Sequence, residues 1–254
     1  MNALTPFVHR LKRLELLSAE DFEYAESLIK IRKTVDSGTA IIEAKSTQEQ
    51  IFFVLNGWAI KYKMLENGDR QIVNFVLPGD IIGMFSPIFS FSEHTVESIS
   101  PMQLGNFQAS RLVEVFRQVP KLAFVLAWMA GQDERILEEQ IVRIGRRNSS
   151  KRMAHLMIEL YRRMRLSGYA REEAVTLPVN QLLLSDALGL SHIHAHRIFR
   201  ELEKNALIQR LSGRIILLNL PVLAALADFD ESYLEPVSLA KAPLTVFHPV
   251  ESLK

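Results

Sequence analysis

The chain has 254 residues with 48% hydrophobic content and a net charge of +1, which suits one large or two modest folded domains rather than a disordered chain. It contains no cysteine, and this excludes disulfides, thiol sensing and cysteine-ligated iron–sulfur clusters. No apolar run approaches the roughly 20 residues of a membrane span and no signal-peptide pattern opens the chain, so we expect a soluble, cytoplasmic protein without a membrane partner.

The N-terminal segment predicts two helices. Over residues 6–30, apolar residues recur at helical spacing among arginine, lysine and glutamate. Ser18 is followed three residues later by Asp21, which resembles a capping box with aspartate in the place of the usual glutamate. We therefore expect the second helix to begin there.

Residues 31–108 have a different pattern, in which short apolar runs alternate with turn sequences. Strands this short and regular are typical of an antiparallel roll or barrel. The Asn67-Gly68 pair is the strongest hairpin turn in the chain, because both residues tolerate the positive φ angles of a tight turn. The pattern predicts an antiparallel, jelly-roll-like β-roll.

Helical spacing returns at Ala109 and predicts a short helix over 109–119 and a long one from Lys121 to about Gly145. The long helix carries a roughly heptad apolar stripe, which is typical of a dimerisation coiled coil. A helix buried against its own roll is the alternative. The stripe consists of Leu122, Leu126, Met129 or Ala130, Ile136 or Leu137, Ile141 and Ile144, with Asp133 and Gln140 interrupting it.

The remaining connections are predicted from composition. Residues 145–150 are small, basic and polar, and we interpret them as a hinge before a helix over 151–166. A last short helix is expected at 221–229. Residues 235–254 contain three prolines and no clear period, and are interpreted as a loosely attached tail.

Residues 177–217 predict a helix-turn-helix followed by a wing. Two amphipathic helices meet at Gly189, and Ser191 is suited to cap the second one. Two apolar runs around a Ser-Gly turn then predict a two-stranded wing tipped by Arg210 and Arg214. The expected inner faces are Leu182, Leu183, Leu184, Ala187 and Leu188 in the first helix, and Ile193, Ala195, Ile198, Phe199 and Leu202 in the second.

The outer face of the second helix carries side chains that suit nucleic acid, namely His192, His194, His196, Arg197 and Arg200. Arg197 can form a bidentate pair with guanine, and other cations can contact phosphates. Residues 146–215 hold 13 Lys or Arg and 6 Asp or Glu, so this segment has a net charge of +7 and the remainder −6. This asymmetry favours a DNA-binding segment over a generic helical pair with a solvated basic face. It also favours the dimer, because helix-turn-helix regulators usually dock as dimers.

Three strings in this order resemble one family: VLNGWAIKYKMLENGDRQIVNFVLPGDIIG (54–83), GRRNSSKRMAHLMIEL (145–160) and LLLSDALGLSHIHAHRIFRELEKNALI (182–208). Over about residues 10–230 the chain resembles the Crp–Fnr transcription regulators. The resemblance implies a cyclic-nucleotide-binding-like sensor roll, a dimer interface on the long helix and a winged helix-turn-helix. It places Arg197 at the family's guanine-reading arginine, Ser191 and Arg200 at phosphate contacts, and His192, Ile193 and His196 beside the bases. The complete set of expected DNA-binding residues is Gln181, Ser191, His192, Ile193, His196, Arg197, Arg200, Arg210 and Arg214.

The expected effector pocket departs from the cyclic-AMP-binding members of this family. Where those members carry Gly-Glu, Arg-Ser and a polar pair that contacts adenine, this chain has Gly83-Met84, His94-Thr95 and Leu137-Glu138. Methionine cannot accept a ribose hydrogen bond, and neutral histidine is a poor substitute for a fixed cation. Cyclic AMP is therefore disfavoured, and no cofactor is predicted.

Histidines leave two alternatives open. His94 is interpreted as a structural or surface residue of the roll, with haem ligation or a pH switch as the alternative. His192 and His196 have the i,i+4 spacing of metal ligands, but no third ligand is evident, so no metal site is predicted. The family's oxygen-sensing members read their operator with a glutamate where Ile193 stands, so the operator sequence does not transfer.

These observations predict an α+β fold with an antiparallel β-roll sensor domain, a long dimerisation helix and a C-terminal winged helix-turn-helix. The expected function is a homodimeric regulator of transcription that binds palindromic double-stranded DNA and acts at RNA polymerase. A ligand-binding regulatory protein that acts through a protein partner is the alternative, and an enzyme is not predicted because no catalytic motif is evident. The expected domains are 1–120 (roll with N-terminal helices), 121–147 (dimerisation helix and hinge), 148–222 (winged helix-turn-helix) and 223–254 (C-terminal helix and tail).

Overall fold

The computed structural model describes residues 5–29, 31–168 and 175–235. Its first two helices are α1 (Thr5–Lys12) and α2 (Ala19–Leu28). Ser18 is the N-cap of α2. Its Oγ accepts the backbone N–H of Asp21 at 3.3 Å, and its own N–H donates to Asp21 Oδ2 at 2.8 Å. The predicted capping box is confirmed.

The predicted β-roll is also confirmed, as two antiparallel sheets with strand orders β1-β8-β3-β6 and β2-β7-β4-β5. Val54 and Leu104 are among the residues fully buried between the sheets. The predicted hairpin joins β4 to β5, with Met64 opposite Arg70 and Gly68 at a φ of 86° in the connection. The strands are β1 (Ile31–Val35), β2 (Ala40–Ile42), β3 (Gln50–Asn56), β4 (Ala59–Met64), β5 (Arg70–Val76), β6 (Ile81–Ile82), β7 (Thr95–Ser98) and β8 (Met102–Gln108), with a 3-10 turn at Ser86–Ile88.

Three helices continue the chain beyond the roll: α3 (Arg111–Gln118), α4 (Pro120–Arg146) and α5 (Ser149–Leu166). The predicted hinge at 145–150 is shorter in the structure, because α4 continues to Arg146 and α5 begins at Ser149. Asn148, between the two helices, caps α5 by accepting the N–H of Lys151 at 2.9 Å. Arg147 and Asn148 have extended backbone, with ψ angles of 148° and 163°, so a two-residue break separates the two helices within the predicted hinge.

The C-terminal head comprises α5, α6 (Gln181–Leu188), α7 (His192–Lys204), α8 (Leu220–Ala227) and a sheet of β9 (Val175–Leu177), β10 (Ile208–Leu211) and β11 (Arg214–Leu217) in the order β10-β11-β9. The helix-turn-helix and the two-stranded wing are confirmed. The sequence did not predict β9, in which Leu177 pairs with Ile215. The predicted tail lies outside the described residues except for Glu235. Within the described ranges, the helices are either too short or too polar to traverse a lipid bilayer.

The head docks against the outer face of the sheet that contains β4 and β5. One buried apolar cluster spans both parts of the molecule. Trp58 and Phe75 enter it from the roll, Leu156 from α5 and Leu188 from α6, each with at most 2% of its surface exposed. Apolar area removed from water stabilises by roughly 25 cal/mol per Å², so this shared core holds the head in one position on the roll.

A buried arginine joins α4 to α5 beside this core. Arg143 is 1% exposed, and its guanidinium donates to Glu159 and, at 3.1 Å, to Nδ1 of His155. Glu159 also accepts the hydroxyl of Tyr233 at 2.7 Å. Burial and the neighbouring arginines lower the pKa of His155 to about 2, so its ring stays neutral and accepts the hydrogen bond.

We expect Glu159→Ala to lower the free energy of unfolding by about 3–5 kcal/mol, because Arg143 would keep its charge in a buried setting without a counter-charge. Urea denaturation followed by circular dichroism measures this loss. Glu231→Ala is the matched control, since Glu231 pairs with Arg162 at 2.9 Å but their side chains are 42% and 38% exposed. An exposed pair contributes about 0–1 kcal/mol, so equal losses in both variants would contradict the expectation.

Candidate DNA interface and effector cavity

The second helix of the helix-turn-helix, α7, is positioned by a turn, a cap and a buried face. Gly189 ends α6 in the left-handed region with a φ of 61°, as the tight turn requires. Ser191 Oγ then accepts the N–H of His194 at 3.3 Å and caps α7. Ala195 and Phe199 are fully buried and anchor the inner face, so the intervening side chains point away from the head.

The exposed side of α7 carries most of the predicted DNA-binding residues: Ser191, His192, Ile193, His196, Arg197 and Arg200. Two inner-face predictions are wrong, because Ile193 is 71% exposed and Leu182 of α6 is 46% exposed. Ile193 lies in the first turn of α7, away from the face that Ala195 and Phe199 define. Its exposure agrees with the position beside the bases that the resemblance assigned to it.

Three predicted cations are available to an anionic partner. Arg197, Arg200 and Arg214 on the wing are exposed, and within the described ranges they form no hydrogen bond or ion pair. These cations can therefore contact a phosphate or a base edge without breaking a contact within the protein. Their placement suits the positioning and base-reading contacts that DNA recognition requires.

Two other predicted DNA-binding residues are engaged within the head. Arg210 donates to both carboxylate oxygens of Glu203, at 2.9 and 2.6 Å, and to Oε1 of Gln181 at 2.8 Å. Its guanidinium also lies 5.4 Å from the ring centre of Phe199. The hydrogen bonds from Arg210 lower the pKa of Glu203. Together, the contacts of Arg210 hold the wing against α6 and α7. A role of Gln181 and Arg210 in binding DNA stays a prediction.

A cavity of about 670 Å³ lies between the roll and α4. Four residues of the predicted effector pocket line it, namely Gly83, Met84, His94 and Leu137. The other two, Thr95 and Glu138, are not among the described residues that line it: Thr95 lies in β7 and Glu138 is exposed on α4.

His94 lies half-buried in the cavity wall. Burial and the charges of Lys61 and Lys63 lower the pKa of His94, so the ring is neutral at pH 7. Across the described residues, no three His, Cys, Asp or Glu side chains are grouped as metal ligands, and this includes the neighbourhood of His192 and His196.

The inner wall of the cavity contains a carboxylate held between two arginines. Asp80 is 7% exposed; it pairs with Arg10 of α1, and its Oδ2 accepts a hydrogen bond from Arg163 of α5 at 2.8 Å. Arg163 also donates to the carbonyl of Phe75 at 2.8 Å. The cavity wall and the head are therefore joined through one side chain.

A second carboxyl in this wall, Asp133 of α4, is unpaired. Within the described ranges it forms no hydrogen bond or ion pair. Burial and the neighbouring charge of Asp80 raise the pKa of Asp133 to about 6, against the attraction of Arg10, Arg163 and Lys61. Such a shift is typical of functional sites.

The sequence contained a partial signal for these residues. Asp133 interrupts the apolar stripe of the long helix, and Asp80 follows a glycine at a turn of the roll. Arg10 gave no signal, because it looks like any charge on an amphipathic helix. That these side chains meet depends on the packing of α1 and α4 against the roll.

Comparison with known proteins identifies both parts of the chain. The model of the cyclic nucleotide-binding domain matches residues 32–119, and that of the Crp-like helix-turn-helix domain matches 151–226. The nitrogen fixation regulation protein FixK of Bradyrhizobium diazoefficiens is 29% identical over 192 residues, which cover 75% of this chain and 79% of FixK. The transcriptional activatory protein AadR of Rhodopseudomonas palustris is 28% identical over 171 residues, 66% of this chain and 70% of AadR.

A solved structure shares the fold. The structure of FixK2 from Bradyrhizobium japonicum has a TM-score of 0.68 and 24% sequence identity, and the match covers 77% of this chain and 96% of FixK2. The shared part therefore includes almost the whole of FixK2.

At pH values above about 6, we expect Asp133→Asn to raise the free energy of unfolding by on the order of 1 kcal/mol. The pKa of Asp133 is about 6 in the folded chain against an ordinary value of 3.8, so the fold prefers the protonated carboxyl. Stability therefore falls as the pH rises from about 4 to 6, and asparagine, which cannot ionise, removes this loss.

Urea denaturation at about pH 8 and about pH 4 tests this, since the two values lie on either side of the titration. The gain is expected at the higher pH and disappears towards the lower one. Glu66→Gln, which removes an exposed carboxylate from the connection between β4 and β5, is the control. The same gain from Asp133→Asn at both pH values would argue against the shifted pKa.

Proposed function

Because the chain belongs to the Crp–Fnr family of DNA-binding transcription regulators, we propose that it reads a palindromic operator as a homodimer and controls transcription from there. Members of this family are regulators and not enzymes. The comparisons give no support to the alternative of a regulatory protein that acts through a protein partner. A DNA partner places the protein in the cytoplasm, and its effect on transcription follows from where it sits relative to RNA polymerase.

The observation that carries the proposal is the exposed, cation-bearing face of α7. In the proposed complex α7 enters the major groove, and Arg197 donates two hydrogen bonds to O6 and N7 of a guanine. Ser191, Arg200 and Arg214 hold phosphates on either side. The cap at Ser191 and the burial of Phe199 fix the helix before it meets DNA, so little further conformational entropy is lost on binding.

The dimer is proposed from the outer face of α4. The predicted stripe divides in two: Leu122, Leu126 and Ile136 are buried in their own chain, whereas Ile141 is 67% exposed and Ile144 is 36% exposed. With Leu137, which is also 36% exposed, these residues have the four-three spacing of a coiled-coil face. Both sequence interpretations of α4 therefore have support, each over a different part of the stripe.

The cavity is proposed as the site of a small effector, and no cofactor is proposed. Met84 and His94 replace the residues that hold the ribose and the cyclic phosphate in cyclic-AMP-binding members of the family, and neither supplies an equivalent contact. The proposed domains are those predicted from the sequence, with the roll and its N-terminal helices as the sensor and the head as the reader.

We expect Arg197→Ala to weaken operator binding by about 1–3 kcal/mol and to relax the preference at one base of each half-site. A site selected from random DNA with the purified protein provides the operator, and fluorescence anisotropy with single-base variants measures the preference. Arg117→Ala, an exposed arginine on α3, is the control. Unchanged affinity and unchanged preference in Arg197→Ala would remove Arg197 from the interface.

We expect Ile141→Glu to convert the dimer to a folded monomer, because a charge in the centre of the apolar face would be desolvated without a partner. Sedimentation equilibrium measures the oligomeric state, and specific binding to a two-half-site operator should fall with it. Val113→Glu is the matched control, since Val113 on α3 is 66% exposed and Ile141 is 67% exposed. A dimer that survives Ile141→Glu would place the interface elsewhere.

A further inference from the structure

The cavity between the roll and α4 is lined by charged as well as apolar side chains. The described residues that line it include four carboxylates (Asp80, Glu93, Asp133 and Glu134) and two fixed cations (Arg10 and Lys61), while His94 is neutral. Two of the carboxylates are already paired, because Asp80 contacts two arginines and Glu93 lies 3.2 Å from the ammonium of Lys45 and 3.6 Å from that of Lys63. Among the described charges of the wall, Asp133, Glu134 and Lys61 form no ion pair, so a ligand meets two unpaired carboxylates and one unpaired cation.

The ionic groups differ in whether they are already satisfied. The guanidinium of Arg10 donates to Asp80, to the carbonyl of Gly79 at 3.3 Å and to Gln132, so both of its terminal nitrogens already have partners within the protein. Asp80 is held by Arg10 and Arg163. Asp133 beside it has no partner within the described ranges.

The mouth of the cavity adds aromatic surface. Phe85, Phe89 and Phe91 line it, and they are 43%, 66% and 40% exposed. The ammonium of Lys45 lies 4.3 Å from the ring centre of Phe91, which leaves Phe85 and Phe89 as rings without a cation in the described structure. Aromatic faces attract cations, and they do so more strongly when water is excluded.

We propose that this cavity binds a small, largely apolar molecule that carries an amine or amidine cation. Asp133 accepts the charged hydrogen bond of the cationic group, and the apolar part of the ligand lies against Phe85, Phe89 and Met84. The assignment rests on the proposed function in taking the cavity as the effector site. It departs from the cyclic nucleotides that the family resemblance implies, which are anionic.

The proposed contact also has an energetic reason. Burial and, after it, the charge of Asp80 disfavour an ionised Asp133. A ligand cation at Asp133 offsets both effects and so favours the ionised carboxylate. Binding energy is thus available at Asp133 that a neutral ligand of the same shape cannot obtain.

Isothermal titration calorimetry of the full chain with three matched probes tests the proposal. Because no DNA is present, a failure of this proposal can be distinguished from a failure of the proposed DNA binding. The probes are tryptamine, tryptophol and indolepropionate, which share an indole and carry a cationic, a neutral and an anionic end. At about pH 8, where Asp133 is ionised, we expect tryptamine to bind about tenfold or more tightly than tryptophol, and indolepropionate not to bind.

Two variants locate the contact. Asp133→Asn should lower the affinity for tryptamine by about tenfold, to that of tryptophol, and leave tryptophol binding unchanged. Lys61→Met should raise the affinity for tryptamine, because it removes a like charge from the wall. Glu66→Gln, outside the cavity, is the control. Since Asp133→Asn is expected to stabilise the fold, a loss of binding in this variant is not explained by unfolding.

Several results would overturn the proposal. Binding of tryptophol or indolepropionate as tightly as tryptamine would show that the cavity does not select a cation. Unchanged tryptamine affinity in Asp133→Asn would remove this carboxylate from the site. Absence of tryptamine binding to the wild-type chain would contradict the proposed ligand class.

Discussion

The arrangement of the whole molecule depends on one buried carboxylate, Asp80. It holds Arg10 of α1 and Arg163 of α5, and it accepts the backbone N–H of Leu77 at 2.8 Å within its own turn. Removing three charges from water is costly, and the cost is offset only when the groups are paired and their remaining donors are satisfied. Arg163 meets this condition by donating also to the carbonyl of Phe75 at 2.8 Å. A turn of the roll, the N-terminal helix and the head are thereby fixed relative to one another.

This position of Asp80 has a consequence for function, because the same side chain forms part of the cavity wall. Asp80 therefore contacts the head directly from the cavity wall, so no long series of intermediate residues separates the cavity from the head. Asp133 lies beside it as a carboxyl whose pKa is raised to about 6 by burial and by Asp80. The fold tolerates an electrostatic cost at this point, which is common where a protein keeps a group ready for a ligand.

Much of the fold could be predicted from the sequence. The strands of the roll fall within residues 31–108, and the caps at Ser18 and Ser191 were both identified. Four of the six residues predicted for the effector pocket line one cavity, and the predicted hinge is reduced to a two-residue break between α4 and α5. Arg210 was among the residues predicted to bind DNA, and its ion pair with Glu203 could not be predicted, because only the folded wing brings the two side chains within 2.6 Å.

The sequence by itself determined most of the secondary structure, the family and the basic character of the head, because periodicity, capping and turn chemistry act over a few residues. The tertiary structure alone decided which side of α4 is buried, since Ile136 and Ile141 belong to the same apolar stripe but are 2% and 67% exposed. It also decided that the head shares a core with the roll and that Asp80, Arg10 and Asp133 meet. These outcomes depend on contacts between residues far apart in the chain, which no local pattern encodes.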